Sequence, residues 1–238
     1  MPTLGIIGSG NIGSAIARLA VASGTSVVLA NSRGPESLRD LVAELGPRAL
    51  AGTVAEAATA GEAVVLSIPL LAVRDLPEGL LLNQLVLDTS NYYPSRDGRI
   101  PDLDAGVLTT SELVHAWTPG ARRVKAFSNI LAHHIPLLAR PRGADDRTAL
   151  PLASSDSAAA GEAAAIIDRL GFDRVDAGTL ADSWTFEPES AGYTRLYLAD
   201  PSIPDDRLLT SVPAPASARK VAASLESATR VDVAQRVF

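Results

Sequence analysis

The chain has 238 residues, 47% of them hydrophobic and 20% charged, and this length suits one α/β domain with its own buried core. It contains no cysteine, which excludes disulfides, thiolate metal sites and cysteine nucleophiles. Its formal net charge of −6 argues against nucleic acid or an anionic membrane surface as the partner.

The chain begins with the elements of a dinucleotide-binding βαβ unit. The apolar run at 4–7 predicts a buried strand, and apolar periodicity predicts a helix that ends near Gly24. Between them lies a glycine-rich turn made of Gly8, Ser9, Gly10, Asn11, Ile12 and Gly13. Gly8 allows the tight turn, Gly10 lets the backbone approach a pyrophosphate, and Gly13 lets helix and strand pack closely. The pyrophosphate would then meet unpaired N–H groups at the helix N-terminus. A glycine turn without a ligand is the alternative, which the flanking strand and helix disfavour.

The residues after the second predicted strand, at 26–30, indicate which dinucleotide binds. An Asp or Glu at this place would bind the adenosine ribose and repel a 2′-phosphate. The chain has Asn31, Ser32 and Arg33 instead, which are two neutral donors and a planar cation that suit a phosphate. The sequence therefore predicts NADP rather than NAD as the cofactor. For Arg33 a solvated surface position is the alternative, and Gly34 and Pro35 are also explained by a helix start.

Strands alternate with helices along the rest of the chain, which is typical of a parallel sheet covered on both faces. The further predicted strands are 48–51, 63–68, 84–89, 123–127, 150–154 and 173–176. The predicted helices are 35–45, 54–60, a poor one at 75–82, 111–116, 158–170, an interrupted one at 180–198, and 216–228. Residues 90–106 and 136–148 are predicted to be irregular.

The predicted fold is α/β, a Rossmann-type doubly wound, mostly parallel sheet with a small C-terminal α/β extension. Residues 1–139 are predicted to form the Rossmann NADP-binding domain. Residues 140–238 are predicted to form a smaller α/β region that completes the acceptor pocket, either separate from the first sheet or continuous with it.

Ligands of an open parallel sheet lie outside the carboxyl ends of its strands, and three such ends face the expected nicotinamide side. The first offers Ile68, Pro69 and Leu70, an apolar wall that suits hydride transfer in a site without water. Ordinary strand termination explains these residues equally well. The other ends offer Asn91, Ser128 and Asn129, which could bind the nicotinamide carboxamide or the acceptor, or could cap backbone groups.

The charged and imidazole side chains of this region do not assemble into an evident catalytic pair, so no catalytic residue is assigned. Lys125 lies inside a predicted strand, where a paired or snorkelling role is favoured over that of a base. His133 and His134 fall on a predicted helix without a third ligand nearby, so the sequence predicts no metal site.

Two aromatic pairs allow functional and structural roles. Tyr92 and Tyr93 could stack on a flat aromatic acceptor or cover the core. Trp184 and Phe186 are predicted to anchor the last helix.

At several motifs the chain resembles the NADPH-dependent deazaflavin coenzyme reductases, the NADP oxidoreductases of the coenzyme F420-dependent type. It resembles more distantly the NADPH domain of six-transmembrane metalloreductases. The resemblance covers most of residues 3–195 and rests on the segments Gly8-Ser9-Gly10-Asn11-Ile12-Gly13, Asn31-Ser32-Arg33-Gly34-Pro35, Asp88-Thr89-Ser90-Asn91, Val124-Lys125-Ala126-Phe127 and Asp176-Ala177-Gly178-Thr179-Leu180-Ala181.

The resemblance implies that NADPH lies along the glycine loop with its 2′-phosphate on Ser32 and Arg33. It also implies direct hydride transfer to a deazaflavin or flavin ring near Pro69 and the segment after Phe127, which needs no protein acid or base. The family often has Asn immediately after Lys-Ala-Phe, where this chain has Ser128. The segment after residue 200 has no counterpart in the resemblance.

Three functions remain open from the sequence. The leading one is an NADPH-dependent oxidoreductase that passes hydride to a deazaflavin or flavin-like acceptor. The second is an NADPH-dependent reductase of a small carbonyl or imine, similar to the β-hydroxyacid dehydrogenases. Those place a catalytic lysine on a long helical second domain, whereas here the sole late lysine is Lys220. The third is a non-catalytic NADP(H)-binding sensor or partner protein.

The remaining expectations concern location and assembly. The first predicted strand begins close to residue 3, and no secretory signal or membrane-length apolar run is evident, so a cytoplasmic protein without a membrane partner is expected. A homodimer is a further expectation, with the segment after residue 200 as a candidate arm.

Overall fold

The structure is a computed structural model that describes residues 1–236. Its strands are β1 Thr3–Ile7, β2 Ser26–Ala30, β3 Ala49–Ala51, β4 Ala63–Leu66, β5 Leu85–Asp88, β6 Arg122–Lys125, β7 Ala149–Leu152 and β8 Asp173–Asp176. Its α-helices are α1 Asn11–Ala22, α2 Arg39–Leu45, α3 Val54–Ala58, α4 Pro94–Asp97, α5 Pro101–Asp104, α6 Thr110–Trp117, α7 Ile135–Leu138, α8 Ser157–Arg169 and α9 Ala218–Glu226. Its 3₁₀ turns are Pro35–Leu38, Leu70–Asp75, Leu180–Phe186, Arg195–Tyr197, Asp205–Thr210 and Val233–Gln235.

Within the described residues, the main sheet has the strand order β3-β2-β1-β4-β5-β6, and all neighbouring strands are parallel. The central strand β1 pairs Leu4 with Val27 of β2 on one side and with Ala63 of β4 on the other. The chain reverses its direction of winding between β1 and β4, and ligands of such sheets bind at this switch point. The predicted Rossmann-type, mostly parallel α/β fold is confirmed.

The sheet is buried on both faces, and its strands other than β6 are almost wholly apolar, whereas β6 buries Arg123 and Lys125 in ion pairs. Side chains alternate along each strand, so Ile6 lies in the core on the α1 and α8 side while Ile7 lies in the core on the α3 and α6 side. Helices α3 and α6 each begin with a capping box, in which a threonine and a glutamate satisfy each other's backbone N–H groups.

The second, smaller sheet pairs β7 with β8 in parallel, connected through α8. It is joined to the end of β6 by an antiparallel bridge, in which the Lys125 N–H donates to the Ala153 carbonyl at 2.9 Å. The bridge links the two sheets at the carboxyl end of β6. The division into regions 1–139 and 140–238 stays a prediction.

The prediction of a helix at 75–82 is wrong. The chain forms a 3₁₀ turn at Leu70–Asp75 instead and continues in turns, because Pro77 lacks an N–H group and Gly79 adopts a φ of +72°.

The mostly helical segment predicted at 180–198 is also wrong. Only the 3₁₀ turns Leu180–Phe186 and Arg195–Tyr197 form, and the intervening residues turn twice. At Gly192 an added Cβ would lie 2.5 Å from the Thr185 carbonyl oxygen, so the chain doubles back closely on itself here. Within the predicted irregular segment 90–106, the one-turn helices α4 and α5 each start at a proline.

His133 and His134 lie in the turn before α7 rather than on a helix. His134 is fully buried, with its Nε2 3.0 Å from the Ser211 carbonyl oxygen and its Nδ1 without a partner among the described residues. Burial lowers the pKa of His134 below its ordinary value of 6.5.

The lowered pKa of His134 predicts a loss of stability in mild acid. The unfolded chain binds a proton at about pH 6.5 and the folded chain binds it only at a lower pH, so the free energy of unfolding falls as the pH drops below about 6.5, by at most about 1.4 kcal/mol per pH unit. His115, whose pKa burial also lowers, adds to the slope. Thermal melts between pH 7 and pH 5 should therefore show a shallower decline for His134→Gln than for wild type, and equal slopes would contradict the prediction.

Among the described residues, no helix combines the length and the apolar character needed to cross a bilayer.

Candidate functional site

The glycine turn after β1 has space for a ligand at one position and none at two others. Gly8 adopts a φ of +110°, and an added Cβ would lie 2.0 Å from the Ser67 carbonyl oxygen. A Cβ at Gly13 would lie 1.9 Å from the Gly8 carbonyl oxygen. A Cβ at Gly10 would meet no atom within 4 Å. The backbone at Gly10 is therefore open to a bound molecule, while the other two glycines are required for the turn itself.

Helix α1 begins at this turn without a side-chain cap. Gly10 occupies the N-cap position, so the N–H groups of the first turn receive no side-chain acceptor, and the first turn carries no acidic residue. Asn11 is exposed and Ile12 is half-buried against the core. The uncapped N-terminus of a 12-residue helix favours an anion through its N–H groups and its dipole. This end of α1 fits a pyrophosphate.

A small network holds the glycine turn against the segment after β2. The Asn31 amide donates to Ser9 Oγ at 3.0 Å and to Ser37 Oγ at 2.9 Å. The Asn31 Oδ1 accepts the N–H of Arg33 at 2.9 Å. A direct phosphate contact by Asn31, as predicted from the sequence, would require one of these bonds to break.

Two members of this network were not identified from the sequence. Ser37 joins Asn31, and the Ser14 hydroxyl donates to the Ser9 carbonyl at 2.9 Å. The position of Ser14 directly after the glycine motif was the sequence signal that could have identified it.

Ser32 and Arg33 are exposed at the same edge, where their side chains are free to meet a ligand phosphate.

The apolar wall after β4 is made by two of its three predicted residues. Ile68 is half-buried and Pro69 is exposed. Leu70 is fully buried and belongs to the core on the α3 and α6 side. Its side chain therefore does not form part of the accessible surface, which Ile68 and Pro69 provide.

Polar side chains lie together where β5 and β6 end. The Asn91 amide donates to the Ser128 carbonyl at 2.6 Å. Ser90 Oγ, Asn91 Oδ1 and Ser128 Oγ are buried and have no hydrogen-bond partner among the described residues. Because a buried unpaired polar atom costs about 1–3 kcal/mol, these atoms mark a place where a polar ligand or water can bind.

Asn129 is fully buried and holds the C-terminal part of the chain. Its amide donates to the Gly192 carbonyl at 2.8 Å and to the Tyr197 hydroxyl at 3.2 Å. Its backbone carbonyl accepts the N–H of Thr194 at 2.9 Å. The amide nitrogen is therefore used for packing the segment around residue 193 onto the end of β6. Asn129 Oδ1 is buried without a hydrogen-bond partner among the described residues, and the predicted nicotinamide contact stays a prediction.

The two neighbouring tyrosines after β5 differ in their environments. Tyr92 is fully buried, and its hydroxyl lies 2.9 Å from Asp104 Oδ1 and accepts the Ile100 N–H. It cannot stack on an acceptor. Tyr93 is half-buried, and its hydroxyl lies 2.5 Å from that of Tyr193. Tyr193 could not be identified from the sequence, because it lies 100 residues from Tyr93 along the chain.

Two buried ion pairs lie beneath these polar groups. Lys125 is fully buried, and its Nζ donates to the Ser90 carbonyl at 3.0 Å and pairs with Glu187 at 3.4 Å. Asp88 pairs with Arg123 at 3.4 Å, and burial lowers the pKa of Arg123. Lys125 thus has a paired role, one of the two predicted for it. Among the described residues, no group of three His, Asp or Glu side chains is arranged to hold a metal ion.

Comparisons with known proteins find a matching family and similar solved structures. Residues 3–92 match the family of NADP oxidoreductases described as coenzyme F420-dependent. A structure of the hypothetical protein SMa0349 from Sinorhizobium meliloti is 34% identical, with a TM-score of 0.68, and the match covers 79% of this chain and 91% of that one. No curated protein sequence matches the chain.

Two further solved structures are similar in fold. A protein from Arthrobacter sp. FB24, described as an F420-dependent NADP reductase, is 20% identical with a TM-score of 0.62, over 77% of this chain and 87% of that one. An imine reductase from Myxococcus stipitatus in complex with NADP+ is 18% identical with a TM-score of 0.52, over 76% of this chain and 56% of that one. At these identities the likeness concerns the fold.

Proposed function

Because this chain belongs to the family of coenzyme F420-dependent NADP oxidoreductases, we propose that it transfers a hydride directly between NADP(H) and a deazaflavin or flavin-like acceptor. The observation that carries the proposal is the open backbone at Gly10, beside the uncapped N-terminus of α1 and at the switch point of the sheet. When bound there, NADP(H) supplies the hydride chemistry through its nicotinamide ring.

The residues at the adenosine end support NADP over NAD. Ser32 and Arg33 stand where an acidic residue would bind an unphosphorylated ribose, and both are exposed. Arg33 offers a charge-assisted, forked contact to a phosphate.

The residues at the other end support a flat acceptor with a polar edge. Ile68 and Pro69 give an apolar surface on which a ring can lie and from which a bound ring would displace water. The unpaired oxygens of Ser90, Asn91 and Ser128 lie where a polar edge can bind.

The experiment follows NADPH oxidation by its near-ultraviolet absorbance, with NADH as the control. The acceptors are a deazaflavin coenzyme, free flavins, ferricyanide and a panel of small imines and ketones. Rapid oxidation by the deazaflavin alone supports the proposal. Tight NADPH binding without oxidation by any acceptor contradicts it and favours a non-catalytic NADP(H)-binding protein.

A reductase of a small imine or carbonyl is the second candidate, favoured by the same unpaired oxygens at the ends of β5 and β6. It ranks lower because Lys220, the late lysine, lies on α9 and donates to the Leu196 carbonyl at 2.6 Å, where it is engaged in packing the C-terminal region. Turnover with imines or ketones but not with deazaflavin would favour it.

Changes at the adenosine end should separate the two nicotinamide cofactors. We expect Arg33→Ala or Ser32→Asp to weaken NADPH binding by about 1–3 kcal/mol and to change NADH binding little, because one charge-assisted contact to the 2′-phosphate is lost or opposed. Fluorescence titration with each cofactor measures the difference. Equal losses for both cofactors would contradict the assignment of the 2′-phosphate.

A homodimer and a cytoplasmic location complete the proposal. Sedimentation of the purified full-length protein tests the dimer.

A further inference from the structure

The hydroxyl groups of Tyr93 and Tyr193 meet at 2.5 Å beside the segments that follow β5 and β6. Tyr93 follows β5, and its hydroxyl lies 3.3 Å from the Asn91 amide, which in turn binds the Ser128 carbonyl after β6. Tyr193 comes from the far end of the chain and is held above β6 by the bonds of its two neighbours to Asn129. The pair therefore lies at the proposed acceptor end of the site.

Two residues of the segments that hold Tyr193 in place have a strained, left-handed backbone. Phe127, just after β6, has a φ of +57°, and Thr194 has a φ of +41°. Both are bulky or β-branched residues in the left-handed region, where such residues are rare outside functional sites. The surrounding hydrogen bonds hold Tyr193 against Tyr93 despite this strain.

Burial and nearby charge act in opposite directions on these hydroxyl groups. Burial, together with the neighbouring Tyr93, raises the pKa of Tyr193 well above its ordinary value, so the Tyr193 hydroxyl stays protonated near neutral pH. The Arg96 guanidinium lies 4.9 Å from the centre of the Tyr93 ring, paired with Asp97. Arg236, paired with Glu189, lies on the side of Tyr193 and favours its ionised form. The two cations would stabilise negative charge that develops on either oxygen.

We propose that Tyr93, supported by Tyr193, protonates the heteroatom of the hydride acceptor. This inference rests on the proposed function and narrows it to acceptors that gain both a hydride and a proton, such as the ring of a deazaflavin or flavin, or an imine.

The atoms and electrons of the step balance. A C–H or N–H bond forms as the acceptor takes the hydride from NADPH, and the π-electron pair of its double bond moves to the conjugated heteroatom. That atom takes the proton of the Tyr93 hydroxyl. Tyr93 regains a proton from Tyr193 through their hydrogen bond, and Tyr193 regains one from water. One NADPH and one solvent proton are used for each reduced acceptor.

The test compares Tyr93→Phe, Tyr193→Phe and the double variant with wild type in single turnovers. Each protein is loaded with NADPH or its 4-deuterated form and mixed with the acceptor that wild type reduces best, in H₂O and in D₂O. Tyr92→Phe is the matched control, because it removes a neighbouring hydroxyl that bonds to Asp104 and not to the pair. A single variant can destabilise the fold because the other tyrosine hydroxyl loses its hydrogen-bond partner. The double variant removes both hydroxyls and so controls for this loss of stability.

We expect Tyr93→Phe to slow hydride transfer by about 100-fold or more, and Tyr193→Phe to slow it less, with NADPH affinity unchanged. In wild type, D₂O and 4-deuterated NADPH should each slow the same kinetic step. Tyr92→Phe should show the same two isotope effects. If wild type turns over while Tyr93→Phe keeps its rate within about twofold, the inference is overturned and the proposed function stands. If wild type reduces no acceptor, both fail.

A spectroscopic measurement tests the pair without turnover. The sequence has four tyrosines, so the protein labelled with ¹³Cζ-tyrosine gives four signals that single Phe variants assign. We expect Tyr193→Phe to shift the Tyr93 signal and Tyr92→Phe to leave it in place. Independent behaviour of the Tyr93 and Tyr193 signals would overturn the inference.

Discussion

Replacing Gly10 with valine is expected to abolish tight NADPH binding while leaving the melting temperature close to that of wild type. The reason is that a Cβ at Gly10 meets no protein atom within 4 Å, yet it enters the space that a pyrophosphate needs at the start of α1. We expect the dissociation constant for NADPH to rise at least about 100-fold, or roughly 2.7 kcal/mol. Fluorescence titration and a thermal melt of the same sample measure the two quantities.

Two other glycines provide the controls for this prediction. Gly161→Ala in α8 also adds a Cβ that meets nothing within 4 Å, and it should leave NADPH binding unchanged while stabilising the helix by about 0.5–1 kcal/mol. Gly8→Ala should instead lower the melting temperature, since its Cβ would collide with the Ser67 carbonyl at a φ that alanine disfavours. A Gly10→Val protein that binds NADPH as wild type does would contradict the proposed place of the pyrophosphate.

The first half of the fold could be predicted from the sequence because its signals are local. The apolar strands of the main sheet are short continuous runs, and the glycine motif fixes the turn between β1 and α1 by sterics within a few residues. The winding of successive strands then follows general rules of βα connection. The contacts predicted at the adenosine end likewise involve residues that are adjacent in sequence.

The acceptor end could not be predicted in the same way because its contacts join distant parts of the chain. Tyr193 contacts Tyr93, and Glu187 contacts Lys125. The residues of each pair lie too far apart along the chain for a periodic sequence pattern to reveal the contact. The segment 180–198 has apolar residues at helical spacing, yet the close approach at Gly192 and the bonds to Asn129 hold it in turns. Tertiary packing therefore outweighs local propensity in this segment.

Lys125→Ala is expected to lower the stability of the protein far more than its turnover per folded molecule. The lysine is fully buried, and among the described residues its removal leaves the buried Glu187 carboxylate with the Thr110 N–H, at 2.9 Å, as its remaining partner. Loss of one member of a buried pair costs about 3–5 kcal/mol, which for a chain of this size lowers the melting temperature by roughly 10 °C.

The paired variant separates the role of the charge from that of the packing. Lys125→Met combined with Glu187→Gln removes both charges at similar volume, so it should recover most of the stability that Lys125→Ala loses, because no unpaired ion remains in the core. Turnover, corrected for the folded fraction by active-site titration with NADPH, should stay near wild type in both proteins, since Nζ is already engaged by Ser90 and Glu187. An unchanged melting temperature with a large fall in corrected turnover would instead make Lys125 a participant in the reaction.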